Sequence, residues 1–229
     1  MKGYRHEYKY RIDPLQKERL RAALSTLLYS DAHSGERGFY TVRSLYFDDL
    51  DDRCLRENED GTDPREKFRI RCYNADPRTL RLDLKQKRAG WTRKLSCPVP
   101  AELVTELLRE GRFRLPEDAP PILMKLYVLQ ETSGMRPVTV VEYDRQPFTY
   151  PEGNVRVTLD LDLRCTDRVG SFLEPRPPMR PVLAAGTDLL EVKFDELLPD
   201  HIHRTLQAED LKLTTFSKYY FCRKAGRNI

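Results

Sequence analysis

Lys67-Phe68-Arg69-Ile70-Arg71-Cys72-Tyr73 decides how this chain is read. Odd-numbered positions carry Lys, Arg, Arg and Tyr, and even-numbered positions carry Phe, Ile and Cys. Successive side chains on a β-strand point to opposite faces, so the segment has one apolar face and one ionic face. The alternation recurs along the chain. Glu7, Lys9 and Arg11 interleave with Tyr8, Tyr10 and Ile12; Asp83, Lys85 and Lys87 with Leu82 and Leu84. Arg156, Thr158, Asp160 and Asp162 interleave with Val155, Val157, Leu159 and Leu161; Glu191, Lys193 and Asp195 with Leu190, Val192 and Phe194. An ordinary antiparallel sheet also has a wet face, but here that face is rich in Arg and Lys spaced two apart. Like charges directly opposite across strands destabilise a sheet, and a bound anion removes that penalty. If the sheet closes with its ionic faces inward, the interior is a basic passage with a few carboxylates, suited to a polyanion and its metal ion.

Composition sets the bounds. At 229 residues the chain has the length of one sizeable domain, predicted here over residues 1–229. The charged fraction is 33% and the mean hydropathy is -0.66, and no stretch approaches the length of a bilayer span. A net charge of +4 does not by itself imply nucleic acid. The segment MKGYRHEYKYRI lacks the apolar centre of a signal peptide. Cys54, Cys72, Cys97, Cys165 and Cys222 are odd in number, widely spaced and without a CxxC pair, which predicts a reduced, cytoplasmic protein without structural zinc. Cys72 and Cys97 occupy apolar positions and are expected in the core. His6, His33, His201 and His203 form no metal-spaced set, and the last two are expected on the surface at a helix start.

The pattern predicts a strand near 4–12, then a helix from Asp13-Pro14 to about residue 29 with a stripe of Leu15, Leu20, Leu24, Leu27 and Leu28. A loop over 31–38, a strand over 41–47 and a short helix or turn over 48–59 follow. Strands near 66–74 and 79–87 are joined by Asn74-Ala75-Asp76-Pro77, and Arg88-Ala89-Gly90 leads into a strand near 91–97. Helices are expected over 101–109 and 121–131, and strands near 136–145, 154–163 and 187–195. A Pro-rich loop over 174–181 and helices over 199–206 and 217–224 complete the reading. Many antiparallel strands with helices outside their apolar faces make an α+β fold with an antiparallel β-barrel.

The ionic faces hold the candidate chemistry. Glu7-Tyr8-Lys9 and Glu191-Val192-Lys193 each place a carboxylate and an ammonium on one face. Arg69 and Arg71 stand about 6.5 Å apart by strand rise, and an Arg fork matches phosphate oxygens. Asp83 and Lys85 are followed by Thr92, Lys94 and Ser96 on the polar face of the next strand. Tyr143 shares a face with Arg145, and Arg156 shares one with Asp160 and Asp162, which are expected to orient it by ion pairs or, as the alternative, to help hold metal. Tyr8, Tyr10, Tyr46, Phe47 and Tyr219 are expected in the core. Ser217 opens the last helix ahead of Lys218, where a cap and exposed amides favour anions. Glu191, with Glu7 as second carboxylate, is the candidate metal ligand, because Mg²⁺ or Mn²⁺ prefers one or two carboxylates plus phosphate oxygens. There is no Ser-His-Asp arrangement, P-loop or Gly-rich dinucleotide loop, so phosphate chemistry here uses side chains. No aromatic stacking motif of the RNA-binding kind is present.

The ordered segments YRHEYKY, VRSLYFDD, KFRIRCY, LDLKQK, EYDR, VRVTLD, LEVKF and FSKYY resemble the polyphosphate polymerase domain of the vacuolar transporter chaperone (VTC) complex, a branch of the triphosphate tunnel metalloenzymes or CYTH-like superfamily. The resemblance implies a tunnel that binds ATP and inorganic polyphosphate with Mn²⁺ or Mg²⁺. It assigns phosphate contacts to Lys9, Arg69, Arg71, Lys85, Lys94, Tyr143, Arg145, Arg156, Lys193, Ser217 and Lys218, and metal binding to Glu191. Two positions depart from the pattern: Arg5 stands where the wider superfamily has Glu, and Asp83 where Glu is common. No SPX domain or membrane helix is apparent, so a membrane partner would have to come from elsewhere, and the oligomeric state is open. The expected activity is metal-dependent transfer of the γ-phosphate of ATP to a polyphosphate chain. A triphosphate hydrolase of the same fold, with Glu7 as base, and a polyphosphate-binding module are the alternatives.

Overall fold

The computed structural model describes residues 5–31, 34–35, 37–89 and 91–226. The predicted start of the first strand at Tyr4, parts of the 31–38 loop including His33, and Gly90 of the predicted turn lie outside them. The fold is α+β with antiparallel strands. In order, the elements are β1 (His6–Ile12), α1 (Pro14–Leu27), β2 (Tyr29–Ser30), β3 (Tyr40–Asp48), α2 (Arg53–Glu59), β4 (Arg65–Tyr73), β5 (Asp76–Arg88) and β6 (Trp91–Pro98). They continue with α3 (Ala101–Glu110), α4 (Pro121–Ser133), β7 (Arg136–Tyr150), β8 (Val155–Thr166), β9 (Arg180–Pro181), β10 (Asp188–Phe194), α5 (Asp200–Gln207) and α6 (Lys218–Ala225).

The chain forms two compact units. The first comprises Met1–Thr41, Tyr143–Leu163 and Pro181–Phe216; the second comprises Val42–Glu142, Arg164–Arg180 and Ser217–Ile229. Strand order is β1-β10-β8-β7 in the first and β3-β4-β5-β6 in the second, and β3, β7 and β8 contribute residues to both.

In the first unit the apolar residues of alternate strand positions form a core of Tyr10, Ile12, Phe148, Val157, Leu159, Leu190 and Val192. Helices α1 and α5 supply Leu20, Leu24, Ile202 and Leu206 to it. Asp13 caps α1 through a capping box, accepting from the Gln16 backbone while the Gln16 side chain accepts from the Asp13 backbone. Leu20, Leu24 and Leu28 of the predicted stripe are buried, but Leu15 and Leu27 are exposed. They flank the stripe, and a 3.6-residue turn carries them off its inward face.

The second unit has its own core, with Leu45, Phe68, Ile70, Leu82 and Leu84 from strands and Leu103, Leu107, Leu123 and Leu126 from α3 and α4. Helix α4 stops at Gly134 (φ 64), where a Cβ would sit 2.6 Å from Leu50 Cγ. The turn from β4 to β5 is tighter than expected. Asn74 and Ala75 alone adopt positive φ (51 and 54), and Asp76-Pro77 already belong to β5. Two positive-φ residues match the twist of an antiparallel hairpin, and Thr79 Oγ1, donating to Asp76 O and accepting from Tyr73 N, braces the turn. The unit also buries an ion cluster: Glu142 accepts from Arg43 Nε and, at 2.9 Å, from Arg164 Nε, while Arg43 Nη1 donates to the carbonyls of Phe172 and Glu174.

Candidate functional site

Main-chain register builds the ionic face of the first unit. Glu7 on β1 lies opposite Lys193 on β10, which lies opposite Arg156 on β8; Lys9 lies opposite Glu191, and Glu191 opposite Thr158. Side chains then interlock along and across strands. Lys9 Nζ is 3.3 Å from Glu7 and donates at 3.0 Å to Phe216 O. Lys193 Nζ is 3.1 Å from Glu191 and 3.8 Å from Glu7. Arg145 of β7 reaches Glu191 at 3.4 Å and grips Asp160 at 2.6 and 2.7 Å. Burial opposes the Arg145 charge, but Asp160, Tyr143 and Glu191 outweigh it and hold the guanidinium well above its usual range. Tyr143 lies beneath it, 5.2 Å from ring centroid to guanidinium carbon. Six candidates (Glu7, Lys9, Tyr143, Arg145, Glu191 and Lys193) thus form one contiguous group.

Arg156 turns aside, pairing with Asp31 at 2.8 Å and Tyr40 Oη at 3.0 Å. It borders a cavity of about 300 Å³ with Arg5, Tyr150 and Asn154. The expected pairing of Arg156 with Asp160 and Asp162 does not form. Asp160 engages Arg145 instead, because β7 lies beside β8 and presents that guanidinium to it. Asp162 adopts φ 50, which breaks the strand alternation, and is exposed.

Thr158 is 2 % exposed, and its Oγ1 has no hydrogen-bond partner. A buried orphan hydroxyl is costly, and this one stands opposite Glu191 on the ionic face. Together with Glu191 and Glu7 it offers the hard oxygen set that suits a divalent ion carried by phosphate. Among the described residues no cluster of three His, Cys, Asp or Glu is positioned to hold an ion alone. A metal held at Glu191 and Glu7 would have to take the rest of its shell from substrate and water.

The ionic face of the second unit is also set by register. Arg69 lies opposite Asp83, which lies opposite Ser96; Lys67, Lys85 and Lys94 form the next row. Asp83 is 2 % exposed and draws in three partners: Arg69 Nη2 at 2.9 Å, Arg71 Nε at 3.2 Å and Ser96 Oγ at 2.7 Å. Burial opposes its ionisation, but Arg69, Arg71 and the Ser96 hydroxyl prevail, and the carboxyl titrates below its usual range. The departure at Asp83 thus has a role: it anchors both arginines. Ser217 caps α6 by accepting from Tyr220 N at 3.4 Å, which places Lys218 in the first turn.

Tyr46 and Tyr219 are buried but are not simply core. Lys67 Nζ lies 5.7 Å from the Tyr46 ring and 4.7 Å from the Tyr219 ring, and Tyr46 Oη receives Arg69 at 3.4 Å. Tyr219 Oη donates to Asp48, a fully buried carboxylate that also accepts from the α2 amides of Cys54 and Leu55. Burial and the Asp48 charge together raise the Tyr219 phenol above its usual range. Sequence reasoning put Lys67 and Asp160 on the ionic faces without including either among its candidate site residues, and it missed Asp48. For Lys67 the signal was present, since it shares parity with Arg69 and Arg71.

The fold resembles a candidate adenylate cyclase from Bacillus halodurans, at TM-score 0.52 and 17% identity over 94% of this chain and 94% of that one. It also resembles the PH1819 protein of Pyrococcus horikoshii, at TM-score 0.52 and 14% identity over 98% of this chain and 100% of that one. At these identities the likeness is one of fold, and it agrees with the α+β antiparallel architecture. No curated protein matches by sequence. No helix among the described residues is long and apolar enough to cross a membrane. The VTC domain model matches residues 4–225, and with nearly the whole chain covered, this protein belongs to the VTC domain family.

Proposed function

We propose that this protein is a metal-dependent polyphosphate polymerase that transfers the γ-phosphoryl group of ATP to the end of an inorganic polyphosphate chain. The observation that carries this reading is Glu191, buried between Lys193 and Arg145 with the orphan Thr158 hydroxyl opposite. That group pairs a carboxylate for metal with cations for phosphate, and membership of the VTC domain family supports it.

A terminal oxygen of the chain forms a bond to the γ-phosphorus, the bond from that phosphorus to the β–γ bridging oxygen breaks, and ADP leaves with the bonding pair. Such transfer needs positioning and charge stabilisation rather than a covalent protein intermediate. Lys9, Arg145 and Lys193 bind phosphate oxygens on the first ionic face, with Tyr143 supporting Arg145; Arg156 would join them only by releasing Asp31 and Tyr40. Arg69, Arg71, Lys85, Lys94, Ser217 and Lys218 bind phosphates on the second. A Mg²⁺ or Mn²⁺ ion held by Glu191 and Glu7 would neutralise charge on the phosphate oxygens. The hydrolase alternative keeps the same phosphate contacts and needs Glu7 as the base that places a water.

The test is incubation with ATP and Mn²⁺, with and without a short polyphosphate primer, products being resolved on a gel beside Glu191→Gln and Arg69→Ala. A metal-dependent ladder lost in both variants is expected. Free phosphate without a ladder would establish the hydrolase, and neither product with retained polyphosphate binding would leave a binding module.

A further inference from the structure

We infer that Asp48 is a positioning residue of the phosphate site: through the Tyr219 hydroxyl it fixes the first turn of α6, and with it Ser217 and Lys218. The inference rests on the phosphate reading above and adds to it a residue that touches no phosphate itself.

Helix α6 needs an anchor. It has eight residues, Lys218–Ala225, and a helix that short is marginal on its own. Several polar ties join it to α2 and its cap. Lys224 pairs with Glu59 at 2.7 Å, Tyr220 Oη donates to Glu59 at 3.3 Å, and Arg223 donates to Asp52. Lys224 and Glu59 are 37% and 45% exposed, where an ion pair contributes little. Arg223 and Lys224 also stand in the last turn, away from Ser217. The tie from Tyr219 differs on both counts. Tyr219 is the second residue of the helix and donates to a fully buried carboxylate.

Asp48 is itself held fast. It ends β3, and its oxygens accept from the backbone amides of Asp49 at 3.0 Å, Cys54 at 2.7 Å and Leu55 at 3.1 Å. The last two belong to the first turn of α2, whose cap residue Asp52 makes no side-chain cap bond. One carboxylate thus joins the end of β3, the start of α2 and the start of α6. Each of these partners is a donor, so a carboxylate suits the place and an amide, with two N–H groups of its own, does not. Burial and the Asp48 charge raise the Tyr219 phenol above its usual range, so it stays a donor.

The tie reaches the ionic face along two paths. Along the helix, Ser217 Oγ accepts from Lys67 at 3.4 Å, and Lys218 lies between that cap and Tyr219. Across the rings, Tyr219 lies 5.4 Å from Tyr46, whose hydroxyl accepts from Arg69 at 3.4 Å. A first turn free to drift would carry Ser217 and Lys218 with it, and a misplacement of about 1 Å is enough to cost a large factor in a preorganised site.

The test is calorimetric titration of tripolyphosphate into the whole chain, for wild type, Tyr219→Phe, Asp48→Asn, Lys218→Gln and the double variant of Tyr219→Phe with Lys218→Gln. Tyr219→Phe removes one hydroxyl and keeps the ring. Glu142→Gln, in the separate cluster with Arg43 and Arg164, is the control for lost stability alone. Tyr219→Phe, Asp48→Asn and Lys218→Gln are each expected to weaken binding by the folded protein about five-fold, and Glu142→Gln less than about two-fold. The double variant is expected to fall no more than about two-fold below Lys218→Gln, because both changes act through one turn. If Asp48→Asn fails to fold, Tyr219→Phe and the double variant carry the comparison. A Tyr219→Phe or Lys218→Gln protein that binds like wild type, or a double variant whose losses multiply to about twenty-five-fold, would overturn the positioning role and leave the proposed function standing. A wild type that binds no tripolyphosphate would overturn both.

Discussion

Arg145 and Asp160 face each other in a two-pronged pair, Nε to Oδ1 at 2.6 Å and Nη2 to Oδ2 at 2.7 Å, with Asp160 fully buried. The same guanidinium reaches Glu191 at 3.4 Å, so Asp160 aims the arginine that borders the candidate metal carboxylate. Asp160→Asn is expected to cost about 3 kcal/mol by leaving a buried cation short of its counter-charge. It is also expected to lower kcat for ATP turnover more than it raises KM. Denaturant melts and steady-state kinetics on one preparation check both; an unchanged kcat would remove Asp160 from the site.

Asp83 predicts a pH dependence. Its folded-state carboxyl titrates below the usual range despite burial, because Arg69 and Arg71 hold it ionised. A depressed carboxyl contributes stability above its unfolded value of about 3.9 and loses it as pH falls through the lower folded value. Wild type is thus expected to exceed Asp83→Asn by about 3 kcal/mol near neutrality, and the gap to close below about pH 4. Urea melts from pH 7 down to pH 3 measure the gap, and one that stays constant across this range would be the contrary result.

Thr158→Val removes a buried hydroxyl that has no hydrogen-bond partner. Thermal stability without ligand is expected to rise by about 1 kcal/mol, while the affinity for ATP with Mn²⁺ falls. Differential scanning fluorimetry with and without ligand reads both. A loss of stability in the free protein would show that the hydroxyl is already satisfied.

Ala75 sits at φ 54 in the turn between β4 and β5. A residue with a Cβ pays about 1 kcal/mol for that conformation, and glycine does not. Ala75→Gly is expected to raise the melting temperature by a few degrees, with polyphosphate binding intact.

Glu142→Gln separates structural charge from site charge. It leaves Arg43 and Arg164 without their shared carboxylate, which is expected to cost about 3 kcal/mol. The apparent affinity for long-chain polyphosphate in the folded fraction is expected to stay within twofold of wild type, about 0.4 kcal/mol.

Much of this was legible in the chain. Period-two alternation located the strands because one face of each is apolar, and Asp13-Pro14 and Ser217 announced two helix starts. Partner choice was not legible. Asp160 and Arg156 share strand parity, yet Asp160 serves Arg145 because neighbouring strands, rather than sequence neighbours, supply counter-charges. Tyr46 and Tyr219 read as apolar because a tyrosine ring packs like a hydrophobe, while its hydroxyl and π face act at a polar surface. Asp48 gave no signal: its partners Cys54, Leu55 and Tyr219 become adjacent only on folding.

The two-residue Asn74-Ala75 turn acts on β5 as a reading frame acts on a message. One residue inserted there would slide every later position of β5 by one and exchange Asp83 and Lys85 for Leu82 and Leu84 on the ionic face. Arg69 and Arg71 would lose their anchor, and the core would receive charges in place of leucines. Substitutions in this hairpin are graded in effect, whereas a change in its length is all or nothing. Insertions for tags, labels or library diversity therefore belong elsewhere, such as the Pro-rich stretch of 174–179, which lies outside every strand.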